Sequence, residues 1–190
     1  MRNTGSNYPS PNLTPEAFEL YVKRWLDATG ELADYQSKHL ETVVTEDGKY
    51  EIDIIVRFTA LGGASYITLI ECKHWKNPVK RTDVQALLAK IQSIGAHKGI
   101  IFATSEYQSG AVKFAKVHGI GLVVVADGRS SWLVKGDERY IGRIVEWEDV
   151  PDYVSRIVGW LIEDKQDEIR LVSETHGQYL KDAIFGRQSR

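Results

Sequence analysis

The sequence predicts an α/β protein, an α/β/α sandwich in which helices cover both faces of a central mixed sheet. Strand-like runs separated by turn residues lie between positions 40 and 73, which indicates antiparallel strands. Two continuously apolar runs between positions 99 and 125 flank a short helical pattern, which indicates buried parallel strands. Helical periodicity appears before, between and after these strands. With 190 residues the chain can form one domain with a substantial core.

The first helix is predicted to begin at Thr14 and to end at Gly30. Threonine is a favourable N-cap, and Pro15 fits the first helical position because its φ is already helical. Residues 1–12 are rich in Asn, Ser, Pro and Gly, so we expect this N-terminal segment to be disordered.

An antiparallel meander is predicted next, with strands at about 40–45, 49–58 and 65–73. Asp47-Gly48 marks the first turn, and residues 60–64 form the second. Thr82-Asp-Val-Gln85 then has the pattern of a capping box, which predicts a helix ending at Gly95. Residues 99–104 and 121–125 are predicted buried strands joined by a helix at 110–118, and residues 131–134 are a candidate edge strand.

A helical period returns from Pro151, where Val154, Ile157, Val158 and Leu161 form one stripe. We therefore expect a core domain at 13–148 and a C-terminal helical extension at 149–190. The extension is expected to pack on the core or on a partner.

The composition argues against a disulfide-stabilised protein, a secreted protein and a membrane-spanning protein. The single cysteine cannot form an internal disulfide, and the 43% apolar and 26% charged fractions are those of an ordinary globular protein. The sequence shows neither a signal peptide nor an apolar run of membrane-spanning length, so a cytoplasmic protein without membrane contact is expected.

The charge is unevenly distributed, although the net charge is only −2. From Cys72 to His118 eight basic residues face two acidic ones, whereas from Asp137 onward twelve acidic residues outnumber eight basic ones. The positive segment suits a phosphate backbone, and a solvated lysine face on two helices explains it equally well. Within it, the candidates for DNA contact are Lys76, Lys80 and Arg81.

Glu71 and Lys73 stand at the end of a predicted strand, and Asp53 stands in the strand before it. Side chains two residues apart on a strand share a face, so Glu71 and Lys73 project together and Cys72 projects to the other side. A hairpin between the two strands would bring Asp53 to the same patch. Buried carboxylates need a partner or a cation. Two carboxylates beside a lysine thus compose a hard-metal site with a base or an electrostatic stabiliser.

Each of these residues also has a purely structural interpretation. Asp53 could form a salt bridge with Arg57, and Glu71 with Lys73 could be the charge pattern of an edge strand.

The same holds for the neighbouring candidates. The capping box alone explains Gln85, and an exposed i, i+4 pair with Lys23 explains Glu19. Packing against the sheet is the default for Trp75, with stacking on a nucleobase as the alternative.

Asp53, followed by Glu71-Cys72-Lys73 and by Gln85 early in the next helix, resembles the PD-(D/E)xK nuclease superfamily. Within it the chain is similar to the Mrr-like restriction endonuclease branch from about residue 18 to 125. The segments that carry this similarity are Ile70-Glu-Cys-Lys-His-Trp75, Pro78-Val79, Asp83-Val84, Gly95-Ala-His-Lys-Gly-Ile-Ile101, Ser109-Gly-Ala111, Phe114-Ala115 and Gly119-Ile120. The resemblance implies a restriction endonuclease-like fold.

It also implies a Mg²⁺-dependent DNA endonuclease, with Mn²⁺ as a substitute. Asp53 and Glu71 would hold the ion together with the backbone carbonyl of Cys72. Lys73 would orient or deprotonate the attacking water and offset charge in the transition state. Gln85 would position Lys73 or the water.

Glu19 matches an acidic residue on the first helix of the family, as a candidate further metal ligand. The chain departs from the family in having Ile52 where the name-giving proline stands. The residues before Leu13 are too few for a separate DNA-reading domain, so a bare nuclease domain is expected, with DNA recognition aided by a homodimer or a partner protein.

Two rival functions use the same features differently. A catalytically inactive nucleic-acid-binding module, or a subunit of a larger complex, would keep the fold and the basic segment without turnover. A structural interaction protein would use the acidic tail and would not bind DNA.

Overall fold

A six-stranded mixed sheet forms the centre of the computed structural model, which describes residues 10–27, 32–127 and 153–158. The elements that it describes are, in chain order, α1 (Pro15–Asp27), β1 (Ala33–Val44), β2 (Lys49–Ala60), β3 (Ala64–Lys73), α2 (Arg81–Ile94), β4 (Lys98–Ala103), α3 (Ser109–His118), β5 (Gly121–Asp127) and β6 (Tyr153–Val158). The strands are arranged in the sheet in the same order as in the chain.

The sheet is mixed in the way that the sequence predicts. β1, β2 and β3 form an antiparallel meander, whereas β3, β4 and β5 pair in parallel and are connected through α2 and α3. A parallel neighbour requires such a crossover because the chain must return to the same end of the sheet. The predicted α/β sandwich around a mixed sheet is thereby confirmed.

Helices cover both faces of the central strands. In β4, Ile100 and Phe102 pack in the cluster that contains α1, whereas Ile101 and Ala103 pack in the cluster that contains α2 and α3. Successive side chains of a strand point to opposite faces, so a strand covered on both sides has no polar positions. This explains why β4 and β5 are continuously apolar in sequence.

The start of α1 is as predicted and the start of α2 is not. The Thr14 hydroxyl accepts the N–H of Ala17 at 3.1 Å, as an N-cap does. In α2, however, Lys80 is the N-cap residue, and its N–H donates to the Asp83 carboxylate at 2.7 Å. The capping box predicted from Thr82 to Gln85 is therefore wrong, because Asp83 provides the equivalent bond two residues earlier.

Close packing fixes α2 against the sheet at Gly99 of β4. A Cβ atom at this position would lie 2.5 Å from Cδ1 of Ile91 and 3.0 Å from Cδ2 of Leu87, which are both on α2. The absence of a side chain allows the helix to approach the strand. Other side chains on this face of α2 can consequently reach the neighbouring β3.

The C-terminal helix predicted from Pro151 is wrong over residues 153–158, which form β6 and pair antiparallel with β5. Val154, Ile157 and Val158 fit a helical stripe, but β-branched residues also favour strands. The free edge of β5 offers unpaired backbone groups that a strand can satisfy. Residues 159–190 and the predicted strand at 131–134 lie outside the described residues.

The first strand is longer than the sequence predicts. β1 begins at Ala33, seven residues before the predicted strand at 40–45. Within the described part of the chain, none of the helices has the length and apolar character needed to cross a membrane.

Candidate active site

The predicted site lies where β2 and β3 separate. Their antiparallel pairing runs from Ala60 opposite Ala64 to Ile54 opposite Ile70, and the next residues along the two strands are Asp53 and Glu71. β3 remains paired with β4 through Lys73. β2 thus separates from β3 at this point, although it stays paired with β1 through Ile52 and Glu51, whereas β3 stays paired with β4.

The alternation of side chains in β2 also changes at this point. Ile54 and Val56 pack on the α1 side of the sheet, but Ile52 packs on the α2 and α3 side. In a regular strand these three residues would share a face. The backbone therefore rotates at Asp53. Opposite, in β1, Leu40 has a left-handed φ of 51°, which is uncommon for a leucine.

Asp53 replaces a ladder bond with a side-chain bond. Its carboxylate oxygen Oδ2 accepts the backbone N–H of Cys72 at 2.6 Å. Within the described part of the chain, that N–H is the one donor to this carboxylate. The bond holds Asp53 directly beside the Glu71-Cys72-Lys73 segment, as the hairpin hypothesis predicted.

The environment of Asp53 is unfavourable for an ionised carboxylate without a cation. Burial raises its pKa, and the N–H of Cys72 lowers it by a smaller amount. The charges of Glu71 and Glu19 raise the pKa further, and Lys73 opposes them, so that the net pKa is raised.

Glu71 is buried and forms salt bridges with two lysines. Its side chain lies on the α2 and α3 side, where Leu69 packs, and only 6% of the residue is exposed. Oε2 accepts from Nζ of Lys73 at 2.8 Å, and Oε1 accepts from Nζ of Lys90 at 2.5 Å. Buried charges are tolerated when they are paired in this way.

Lys90 is the site residue that the sequence interpretation missed. It lies on α2, where its Nζ also donates to the backbone carbonyl of Glu51 at 2.9 Å. It follows the buried Leu87 at the i, i+3 spacing, so it lies next to the apolar stripe that faces the sheet. Its position beside that apolar stripe was the one feature of the sequence that could have indicated a buried contact for Lys90.

Lys73 is held in its charged form. Burial by itself lowers the pKa of Lys73, but the charge and hydrogen bond of Glu71 raise it, and Asp53 raises it further, so that the net pKa is raised. Nζ lies 5.3 Å from the centroid of the Trp75 ring, which is within the range of a cation–π contact.

The loop between β3 and α2, together with the first residue of α2, forms an exposed basic rim next to Lys73. Trp75 is 42% exposed, so it is not the packed residue that was expected by default. Its backbone carbonyl accepts from the Thr104 hydroxyl at 3.2 Å, and the carbonyl of Asn77 accepts from Ser105 at 2.8 Å. These bonds fix the loop to the end of β4.

The three predicted DNA contacts lie on this rim. Lys76, Lys80 and Arg81 are all exposed, and the Arg81 guanidinium stacks over the Phe114 ring at 5.0 Å from its centroid.

Cys72 projects to the opposite side of β3, as predicted, and packs against the cluster that contains α1. Burial raises the pKa of its thiol well above the ordinary value, and the nearby carboxylates raise it further. A thiol in such surroundings is chemically inert. What Cys72 offers to the site is its backbone.

Of the two remaining candidates, Glu19 is hydrogen-bonded close to Asp53, whereas Gln85 is exposed. Glu19 on α1 bonds Nε2 of His39 at 2.7 Å, and its charge acts on Asp53. Gln85 lies in the second turn of α2, where its side chain is exposed and has no hydrogen bond to any residue that the structure describes.

Two of the structural interpretations are wrong because the expected partners are engaged elsewhere. The Arg57 guanidinium donates two hydrogen bonds to the Glu41 carboxylate, at 2.7 and 2.9 Å, and does not pair with Asp53. Lys23 pairs with Asp27 at 2.7 Å rather than with Glu19.

The donor set fits a hard divalent ion. No group of three or more His, Cys, Asp or Glu side chains in the described ranges is arranged to hold a metal. Mg²⁺, however, is commonly held by one or two carboxylates, with waters and substrate phosphates completing its shell. Asp53 and Glu71, with the carbonyl of Cys72, supply hard oxygen donors of this kind.

Comparison with known proteins assigns the class. The family model Mrr_cat, described as restriction endonuclease, matches residues 11–129. The chain therefore belongs to this restriction-endonuclease-like nuclease family. The match includes both strands of the site and the whole of α2.

The similarities to solved structures are weaker than the family match. A crystal structure of AF1548, a protein of unknown function, has 23% identity and a TM-score of 0.46 over 56% of this chain and 55% of that one. The DNA modification-dependent restriction endonuclease AspBHI has 17% identity and a TM-score of 0.35, over 64% of this chain and 35% of AspBHI. The chain thus spans about half of one and about a third of the other. No curated protein matches significantly.

We expect Asp53→Asn to stabilise the metal-free protein at neutral pH by about 1 kcal/mol. Burial and the charges of Glu71 and Glu19 raise the pKa of Asp53, so its ionised form weakens the fold, whereas an amide oxygen can still accept the N–H of Cys72. A raised folded pKa means that wild type loses stability as the pH rises through the unfolded and then the folded pKa. The advantage of the variant should therefore disappear below about pH 4.

Urea unfolding of both proteins in EDTA, across this pH range, measures the difference. Asp47→Asn is the matched control of opposite sign, because bonds from Ser93, Thr45 and Tyr50 lower the pKa of Asp47 to about 2. That control should destabilise the protein at neutral pH. An Asp53→Asn variant that is less stable than wild type at pH 7 would contradict the interpretation.

Proposed function

We propose that the protein is a Mg²⁺-dependent DNA endonuclease that hydrolyses phosphodiester bonds with Asp53, Glu71 and Lys73. The observation that carries this proposal is the joint placement of two carboxylates and a charged lysine at the point where β2 leaves β3. Membership of a restriction endonuclease family supports DNA as the substrate.

Asp53, Glu71 and the carbonyl of Cys72 are the groups that would hold the ion, and Mn²⁺ has the same ligand preferences. When bound, a divalent ion polarises the scissile phosphate and makes a bound water more acidic. The bond from Cys72 N–H orients Asp53 beforehand. Fixed geometry of this kind reduces the reorganisation that is needed during the reaction.

Lys73 contributes positive charge next to the carboxylates. Because its pKa is raised by Glu71 and Asp53 against the effect of burial, it is an ammonium group at neutral pH. An ammonium group can donate to the attacking water and offset the charge that develops on the phosphorane-like transition state. This favours orientation and charge stabilisation over the deprotonation of water by Lys73.

Gln85 and Glu19 have lesser parts in this proposal. Gln85 is exposed without a described partner, so the positioning of Lys73 or water by Gln85 would require substrate. Glu19 is paired with His39, and its charge on Asp53 makes it a candidate further contributor to ion binding.

The exposed rim would contact the DNA backbone through Lys76, Lys80 and Arg81, and the exposed face of Trp75 is available to a base. The net charge of −2 supports modest intrinsic affinity, so a second copy or a partner protein could add to DNA recognition.

Lys73→Ala should reduce plasmid nicking by about 100-fold or more, because it removes a charge that is directed at the transition state. The assay compares Mg²⁺, Mn²⁺ and EDTA. Lys49→Ala removes an exposed lysine outside the positive segment and serves as the matched control. Wild type that never nicks DNA with either ion, or a Lys73→Ala variant that nicks equally well, would contradict the proposal. Salt-sensitive DNA binding without turnover would instead select the inactive binding module.

Lys76→Ala should weaken DNA binding and lower the magnitude of the slope of log K against log salt by about 0.9, the value for one phosphate contact. Fluorescence anisotropy with a labelled duplex in EDTA measures this slope. Lys49→Ala, at an exposed lysine outside the positive segment, should leave it unchanged. Equal slopes for wild type and Lys76→Ala would remove Lys76 from the DNA interface.

A further inference from the structure

The single negative charge of the Glu71 carboxylate is paired with two lysine ammonium groups. Lys73 and Lys90 each bond one of its two oxygens, at 2.8 and 2.5 Å, and the carboxylate is almost fully buried. Asp53, in contrast, receives only a backbone N–H from the residues that the structure describes. The pairing of charges is therefore uneven between the two candidate metal ligands.

Lys90 is held firmly in this arrangement. It reaches Glu71 from α2, while its second bond, to the carbonyl of Glu51, joins the helix to β2 on the other side of the gap. Gly99 allows α2 to lie close enough to the sheet for this contact. Lys90 thus spans the place where β2 and β3 separate.

The charges of the cluster follow from these contacts. Asp53 and Glu71 carry two negative charges, and Lys73 and Lys90 carry two positive ones, so these four side chains are together neutral. Glu19, whose charge also acts on Asp53, is bonded to His39. A divalent ion added alone would give the four side chains and the ion a net charge of +2 in a partly buried site, which is unfavourable. A DNA phosphate that arrives with the ion would offset part of this charge.

We propose that Lys90 is a positioning residue that holds Glu71 in the metal-free site and competes with the divalent ion for it, so that the ion is taken up together with a DNA phosphate. This inference rests on the proposed function, since it assigns Glu71 as a metal ligand. It concerns the regulation of ion uptake, and Lys90 itself does not act on the phosphodiester.

The competing role and an ordinary supporting role predict opposite effects on metal affinity. Residues that merely support a metal ligand typically cost about 10- to 100-fold in affinity when they are replaced. Loss of a competing charge should instead tighten binding, because the ion no longer displaces or faces an ammonium group.

The test is Mn²⁺ binding in the absence of DNA, measured by isothermal titration calorimetry on wild type, Lys90→Met and Lys90→Gln. Both variants remove the charge, and glutamine retains a donor for the carbonyl of Glu51, so the test does not depend on one variant folding. We expect Mn²⁺ to bind about tenfold more tightly to either variant. Lys90→Arg retains the charge and should bind as wild type does.

Lys116→Gln removes the same charge at an exposed position on α3 and should leave Mn²⁺ affinity unchanged. Unchanged or weaker Mn²⁺ binding by Lys90→Met and Lys90→Gln, with normal binding by wild type, would overturn the inference and leave the proposed nuclease intact. Wild type and both variants failing to bind Mn²⁺ even with DNA present would overturn both.

Discussion

The hydrogen bond from the Cys72 N–H to the Asp53 carboxylate is the interaction on which the candidate site depends. Beyond Ile54 and Ile70 the β2–β3 ladder stops, and this 2.6 Å bond connects the two strands instead. It satisfies a backbone donor that would otherwise lose its strand partner. It also holds Asp53 beside Glu71 at the point where the regular pairing has ended.

β3 stays paired with β4 beyond the point where its pairing with β2 ends. Parallel pairing with β4 continues to Lys73, and the two apolar clusters cover both faces of the central strands. The site consequently stands on a rigid strand rather than on a loop, although the basic rim beside it is a loop. Of the two candidate metal ligands, Asp53 is the one whose charge is unfavourable, because its pKa is raised, whereas Glu71 is paired with two lysines. A local cost of this kind is expected where a site is built for a ligand.

The strand periodicity of the sequence was sufficient to predict how much of this site is arranged. A strand has a period of two, so the shared face of Glu71 and Lys73 and the opposite direction of Cys72 could be predicted from their spacing alone. The hairpin turn at residues 60–64 brought Asp53 to them. Lys90 could not be assigned, because its contact with Glu71 depends on how closely α2 packs at Gly99. The same dependence on tertiary structure explains β6, which is a strand because β5 offers it an edge, and α2, whose cap uses Asp83.

The position of Mn²⁺ in a crystal of the protein bound to a DNA duplex, located by anomalous diffraction, tests the proposed site most directly. We expect an ion between the carboxylates of Asp53 and Glu71, in contact with the carbonyl of Cys72 and with a phosphate oxygen of the DNA. An ion bound elsewhere on the protein, with Asp53 and Glu71 not among its ligands, would contradict the proposed site.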